Sequence, residues 1–431
     1  MTLTSDPAAI PAHALQPHPA SRNLALDRAR TFLTIVVLIH HAVIPYTYFG
    51  HTDPTSWIGF DAIVLATDSY FMAMFFFLSG LFVWPALGHR APGEFTWDRV
   101  LRLGLPFAIG ALTIMPLAYF ALEPRDSLES FGAFWWKTVT KGPWPSGPIW
   151  FTWVLLVFGV LAGTVYRTAP HAIDPLNWLS RKGYLRPLSF FVVFFVATAL
   201  VYVPARLYFG PSHWFEWGPF AVQANRVLYY FVYFAFGIGV GAANVSTGLI
   251  GPQSALARQW LIWSIAAFIP YAALWGLIAI KRLVLGNPPI QPQWYEFTYG
   301  VMFALFSAAM LFAVLAYFLR FKASGWSLLD PLQHDAYGIF LVHYVFVLWI
   351  QYALFDIDIP AIAKAAISFV GTLALSWGTS ALLRQLPGAM KVLWLNPLIP
   401  AQAGIQSNNP CAARPDPAPA EMRAVYPVAA I

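Results

Sequence analysis

Arg30 and His41 are eleven residues apart, and the stretch between them, T-F-L-T-I-V-V-L-I-H, carries no formal charge. On a helix turning ~100° and rising ~1.5 Å per residue, eleven steps bring the two side chains within ~20° of one line, roughly 16 Å apart along the axis. Thr34 and Asp27, seven and fourteen residues before His41, fall within ~40° of that line, whereas His40 points ~100° away. A helix here presents a polar seam rising to an imidazole deep in an apolar run, and an ionisable group so placed faces a cavity or a partner. A neutral imidazole suits a general base acting on a hydroxyl, because its ordinary pKa of about 6.5 leaves it unprotonated at working pH. The alternative is a polar contact holding a neighbouring helix. His40 reads as an orienting neighbour or as a second base.

Arg99 and Arg102 stand one helical turn apart in F-T-W-D-R-V-L-R-L-G-L-P. Two guanidiniums at i and i+3 share a side and can fork onto phosphate oxygens; the same pair can equally anchor a span at the membrane surface. Asp68 is a candidate second catalytic group that would pair with or orient a histidine, or a carboxylate wetted by an outer vestibule. His343, inside an apolar run near the carboxy-terminal end, either meets substrate or bonds a neighbouring helix. Asp330 and Asp335 read as solvated loop charges. Ser79 and Gly80 fit close helix packing, since no G-x-S-x-G elbow surrounds them. The ten histidines lack H-x-x-H or H-E-x-x-H spacing and Cys411 is the single cysteine, so no metal site and no internal disulfide is expected.

These residues need a scaffold, and the composition names it. Of 431 residues 59% are hydrophobic and 10% charged, against about 25% charged in soluble globular domains. A water-soluble protein is excluded, and the expected class is an all-α polytopic transmembrane helix bundle. Runs able to cross a ~30 Å hydrocarbon core recur throughout. Ten spans are expected: Thr31 to Phe49, Ala66 to Leu87, Leu103 to Leu122, Ile149 to Tyr166, Leu188 to Phe209, Val227 to Ala243, Trp260 to Ile280, Tyr299 to Leu319, Tyr337 to Phe355 and Ala363 to Leu383. Pro45, Pro106, Pro116, Pro204 and Pro270 fall inside them, where neighbours must satisfy the carbonyls that proline frees.

With the amino terminus in the cytoplasm, inner segments carry nearly twice as many Lys and Arg as outer ones, so both termini are expected inside. The net charge of +6 is therefore read as topology and not as nucleic-acid binding. Trp135, Trp136, Trp144, Trp150, Trp214, Trp217 and Trp294 crowd the outer side, as a membrane-interface belt or as platforms for sugar rings. Residues 1–22 lack an apolar signal-peptide core and 396–431 are rich in proline and polar residues; both are expected to be disordered around a membrane domain at 23–395.

Arg30 and His41 match the R-x10-H element of acyltransferase family 3 membrane enzymes, and Arg99-Val-Leu-Arg102 matches their R-x-x-R element. Similar text continues in L-D-R-A-R at 26–30, F-F-F-L-S-G at 75–80, P-I-W-F at 148–151, Y-F-V-Y-F-A-F-G at 230–237 and Y-G-I-F-L-V-H-Y at 337–344, so the resemblance covers residues 20–390. It implies acyl transfer from cytoplasmic acyl-CoA, acetyl-CoA or succinyl-CoA, to a hydroxyl of an exported or periplasmic glycan. His41 would be the essential base, with Arg30, Arg99 and Arg102 at the donor end, in a bacterial inner membrane. The His-His pair and L-L-D-P-L-Q-H-D-A-Y-G-I-F-L-V-H-Y resemble the glucan biosynthesis protein C branch, linked to succinylation of periplasmic glucans. The donor is a substrate, so no tightly bound cofactor is expected.

Two other classes fit the residues alone. A proton-coupled carrier of a glycan or acylated intermediate would also keep intramembrane histidines, although no repeat between halves is visible. A sensor or scaffold would leave Arg99 and Arg102 as anchors. The oligomeric state stays open.

Overall fold

In hydrocarbon every backbone N–H and C=O must find an internal partner, which commits long apolar runs to helix. The computed structural model describes residues 23–387, apart from 51, 125–126, 146, 245–247, 252, 322–324 and 326. The two segments expected to be disordered lie outside the described residues, as does Cys411. The crossing segments are α1 (Leu24–Val43), α2 (Ile58–Gly80), α3 (Pro92–Leu122), α4 (Trp150–Thr168), α5 (Pro187–Phe209), α6 (Val227–Ala242), α7 (Trp260–Ala279), α8 (Gln293–Arg320), α9 (Ala336–Leu354) and α10 (Ala361–Leu383). The protein is an all-α, multi-pass membrane bundle.

Nine of these segments are long and apolar enough to span a membrane by themselves. The exception, α6, has 16 residues, about 24 Å of helix. Yet it crosses: just before it, the Asn225 side chain donates to Gly210 O at 2.8 Å, at the far end of α5. Just after it, Ala255 N donates to Tyr184 O at 2.9 Å, beside the start of α5. The helix is short because its first turn is sunk into the bundle, where Arg226 reaches Asp68 and the Tyr229 hydroxyl donates to Ser69 O at 2.6 Å.

Ion pairs tie together loops of the same face. On the amino-terminal face, Arg28 of α1 forks onto Asp330 at 2.8 and 2.9 Å, and Arg384, after α10, lies 2.9 Å from Asp335. The start of α1 and the end of α10 therefore share one side, as an even number of crossings requires. On the far face Lys364 pairs with Asp53 at 2.9 Å and Arg206 with Glu296 at 2.7 Å. This corrects the reading of Asp330 and Asp335 as solvated charges. Asp335 is buried, and Ser380 Oγ and Trp377 Nε1 also donate to it; a carboxylate persists there only because cation and donors together satisfy it.

In α3 the helix is interrupted by two π turns, Val100–Gly104 and Gly110–Ile114, each followed by a proline, Pro106 and Pro116. A proline lacks the N–H that would serve the carbonyl four residues earlier. Both orphans find outside donors: Tyr337 Oη donates to Arg102 O at 2.8 Å, and Trp135 Nε1 donates to Leu112 O at 2.7 Å.

One element departs from an all-helical reading. Strands β1 (Trp214–Trp217) and β2 (Phe220–Gln223) pair antiparallel between α5 and α6, with Trp217 opposite Phe220. The two-residue loop starts with Gly218 at φ 55°, the positive φ such hairpins favour. Periodicity over four residues is too short to announce it against this aromatic background.

Candidate functional site

The centre of the site is a pair of histidines from α1 and α9. His343 Nε2 lies 3.1 Å from His41 Nδ1, while His343 Nδ1 lies 2.7 Å from Phe340 O. A carbonyl only accepts, so His343 Nδ1 carries the proton and, in neutral His343, Nε2 accepts. His41 must then donate from Nδ1, which leaves the lone pair on His41 Nε2. His343 is buried and His41 is partly exposed. This arrangement holds a base in one tautomer and turns its basic nitrogen away from its orienting partner.

The helix carrying His41 stops directly above it. Pro45 ends α1 in a single 3-10 turn, Ile44–Tyr46, so the expected continuation to Phe49 is replaced by a loop. The freed carbonyls of His41 and Ala42 accept from Gln351 Nε2 of α9 at 2.9 and 3.5 Å. Tyr344 stands edge-on to His41 with ring centroids 5.1 Å apart, and the loop before α4 reaches it at Gly147, where φ is 41°.

The other residues of the first helix divide. His40 is buried, and its Nδ1 lies 2.7 Å from Thr67 Oγ1. That hydroxyl gives its proton to Ile63 O at 2.7 Å, so His40 Nδ1 donates and anchors α1 to α2. Thr34 donates its hydroxyl proton to Arg30 O at 3.2 Å. Asp27 stands 3.9 Å from Arg30, and the Arg30 guanidinium lies over Phe82, 4.3 Å from its centroid.

The second centre is cationic. Arg99 lies over Phe95 at 5.0 Å and within electrostatic reach of Arg102, Arg30, Asp98 and Tyr337. Arg102 Nε donates to Asp98 at 3.0 Å, while its Nη1 is buried without a partner among the described residues. Arg99 precedes the π turn Val100–Gly104 and Arg102 lies inside it, where its carbonyl is held by Tyr337. A guanidinium N–H left unsatisfied beside two further guanidiniums is chemistry for an anion.

Between the two centres lies an aromatic layer. Phe75 of α2, Phe151 of α4 and Phe340 of α9 form a triangle with ring centroids 5.7 to 5.9 Å apart. On α9, Phe340 falls midway between Tyr337, which serves Arg102, and His343. Along α2 and the turn after it, Phe75 falls between Phe71, which packs on His40 at 4.9 Å, and Phe82, which underlies Arg30. On α4, Phe151 lies eight residues before Gly159, whose backbone faces the Arg99 side chain. Three of the family-like segments thus meet at one level.

Asp68 is placed elsewhere. Its carboxylate is taken by Arg226, Nη1 to Oδ1 at 3.0 Å and Nη2 to Oδ2 at 2.5 Å. His40 lies within reach of its charge, but the anticipated direct orientation of a histidine gives way to this ion pair. Asp68 lines a far-face cavity of about 970 Å³, together with Arg206, Glu296, Tyr295 and Tyr299. Of the outer tryptophans, Trp217 and Trp136 are well exposed, whereas Trp150 is buried and stacked on Tyr230.

Sequence reasoning missed Gln351, Tyr337, Asp98 and the phenylalanine triangle. Tyr337, Phe340 and His343 recur every third residue in Y-G-I-F-L-V-H-Y, the available signal for one functional face. Among the described residues no three His, Cys, Asp or Glu side chains come together as metal ligands.

The acyltransferase domain model of family 3 matches residues 23–381. The chain belongs to this family and is a membrane acyltransferase, which sets aside the carrier and scaffold readings. Neither the curated proteins nor the solved structures contain a match to it.

Proposed function

We propose that the protein transfers an acetyl or succinyl group from cytoplasmic acyl-CoA to a hydroxyl of an exported or periplasmic glycan, in a bacterial inner membrane. The observation that carries this reading is the tautomer imposed on His41, whose Nδ1 is held by buried His343 so that Nε2 is left basic. The donor phosphates are assigned to Arg30, Arg99 and Arg102, supported by the unpartnered Arg102 Nη1. The thioester arm then extends past the aromatic layer towards His41. Nε2 takes the proton of the sugar hydroxyl as its oxygen attacks the thioester carbonyl. The C–O ester bond forms, the C–S bond breaks, and the departing thiolate recovers the proton from the imidazolium. A positioned base supplies about 10²- to 10⁴-fold, and alignment of the two substrates supplies much of the rest. His343 is a positioning residue and His40 a structural one. The resemblance of its His-His pair and of residues 328–344 to the glucan biosynthesis protein C branch favours succinyl as the acyl group and a glucan as the acceptor.

The test is acyl incorporation into surface and periplasmic glycans of cells carrying His41→Ala, read by mass spectrometry at equal expression. Loss of modification is expected, together with loss of thiol release from acyl-CoA by the purified variant. Undiminished modification rejects the assignment.

A further inference from the structure

The far-face cavity is separate from the histidine pair. Its walls come from α2, α5, the end of α7, the start of α8, the segment between them and, from the loop after α1, Tyr48 and Phe49; His41 and His343 are not among its lining residues. Its two carboxylates already have cations: Asp68 is held by Arg226, and Glu296 by Arg206. Two more cations line it, Lys281 and Arg282, in the π turn Ile280–Val284 that ends α7. Among the described residues neither has an acidic partner, and they stand on the face where the positive-inside bias disfavours basic residues. The cavity therefore carries an uncompensated positive charge at its lip.

The lip is also oily. Leu283 and Val284, which follow the two cations, are 84% and 75% exposed, and Ile290 on the facing loop is 86% exposed. Trp294 beside them is half exposed, as suits an aromatic group at a membrane interface. The interior adds a third requirement: Gln291 gives an Nε2 hydrogen to Pro288 O, and its buried Oε1 has no donor among the described residues. A ligand that satisfies all three features brings an anion, an apolar chain and a hydroxyl. The volume of about 970 Å³ is at the upper end of the range for small-molecule sites.

We infer that this cavity binds the hydroxyl-bearing phosphate head group of a membrane lipid, with the phosphate at Lys281 and Arg282, a hydroxyl on Gln291 Oε1 and the chains leaving past Leu283, Val284 and Ile290. The site is independent of acyl transfer, so binding tests it without turnover. Delipidated full-length protein is titrated in detergent with phosphatidylglycerol and phosphatidylcholine, and bound lipid is counted by native mass spectrometry. The expected result is one phosphatidylglycerol held about tenfold or more tighter than phosphatidylcholine, with that preference lost in the Lys281→Gln/Arg282→Gln variant. Lys137→Gln/Lys141→Gln, which removes far-face cations outside the cavity, retains it. Gln291→Leu weakens phosphatidylglycerol while leaving phosphatidic acid unchanged. Equal binding of the two lipids, or a preference that survives in the Lys281/Arg282 variant, overturns the assignment. Full displacement of the lipid by millimolar inorganic phosphate also overturns it, because the site would then belong to a free anion.

Discussion

His343 Nε2 stands 3.1 Å from His41 Nδ1, and the same His343 ring is fixed from behind by the carbonyl of Phe340 at 2.7 Å. Two bonds in series therefore decide which nitrogen of His41 is basic. The two bonds include no carboxylate, and Asp68 pairs with Arg226.

His343→Ala removes the acceptor that fixes His41. Transfer is expected to fall about ten- to a hundredfold, short of the 10² to 10⁴ attributed to a general base itself. His343→Gln offers an amide oxygen to His41 Nδ1 and restores part of the rate. Initial-rate measurements separate the cases: a positioning role lowers kcat with donor KM unchanged, and a merely structural one lowers the melting temperature equally in both variants. Equal rates in His343→Ala and the parent would remove His343 from the mechanism.

Asp68→Asn leaves the Arg226 guanidinium without its counter-charge. The Asp68 side chain is 42% exposed and Arg226 only 10%. The cost is therefore expected at about 1–3 kcal/mol, between a surface pair and a fully buried one. Adding Arg226→Gln to Asp68→Asn is expected to recover stability and transfer together. Thermal melting and turnover of the single and double variants check this, and transfer that stays abolished in a stable double variant would return Asp68 to the catalytic group.

Tyr337→Phe deletes the hydroxyl that serves the carbonyl freed by Pro106. An orphaned buried carbonyl costs about 1–3 kcal/mol, and here it belongs to Arg102 itself. Donor KM is expected to rise several-fold with little change in kcat, measured with acyl-CoA varied at saturating acceptor. An unchanged KM would mean that the arginine pair is set without Tyr337.

How much of this was legible in the residues differs from one feature to the next. The bundle and its crossings follow from the length of apolar runs, and the Arg30 to His41 seam follows from helix geometry. His343 was visible as an intramembrane histidine, but its partnership with His41 is a contact between α1 and α9 that no single-helix periodicity encodes. The same holds for Asp330 and Asp335, whose cations lie on distant helices, so local polarity suggested solvent where the fold supplies Arg28 and Arg384. The role of Tyr337 was half written: Pro106 announces an orphan at Arg102 O, while the donor that meets it is set by packing.

The phenylalanine triangle lies between the arginines and His41, so on the proposed donor path it is expected to limit the acyl chain. Phe75 is its partly buried member, and Phe75→Leu widens the layer at less cost than truncating a fully buried ring. The ratio of kcat/KM for octanoyl-CoA over acetyl-CoA is expected to rise about tenfold, in the range that a few methylenes command in an apolar pocket. A competition assay with both donors measures it, and an unaltered ratio would place the acyl route elsewhere.

Gly80 and Gly237 end two of the family-like segments, F-F-F-L-S-G and Y-F-V-Y-F-A-F-G, and they pack against each other's helices. A Cβ on Gly80 would collide with the Phe234 carbonyl, one on Gly237 with the Phe77 carbonyl, and one on Gly241 with the Leu81 carbonyl. Glycines four apart on α6 thus let its backbone approach α2 directly, the close packing that small residues permit between helices in lipid. Backbone cannot swing aside as a side chain can, so Gly237→Ala must push the two helices apart, at about 1–3 kcal/mol for overpacking. Gly276→Ala in α7 is the matched control, since nothing lies within 4 Å of its added Cβ and alanine is the better helix former. Melting in detergent is expected to fall for Gly237→Ala and to hold or rise for Gly276→Ala. Because α2 carries both Thr67 under His40 and Phe75 in the aromatic layer, transfer should fall with the first variant even below its melting temperature. Equal melting of the two variants would show that the α2 to α6 contact is looser than its glycines require.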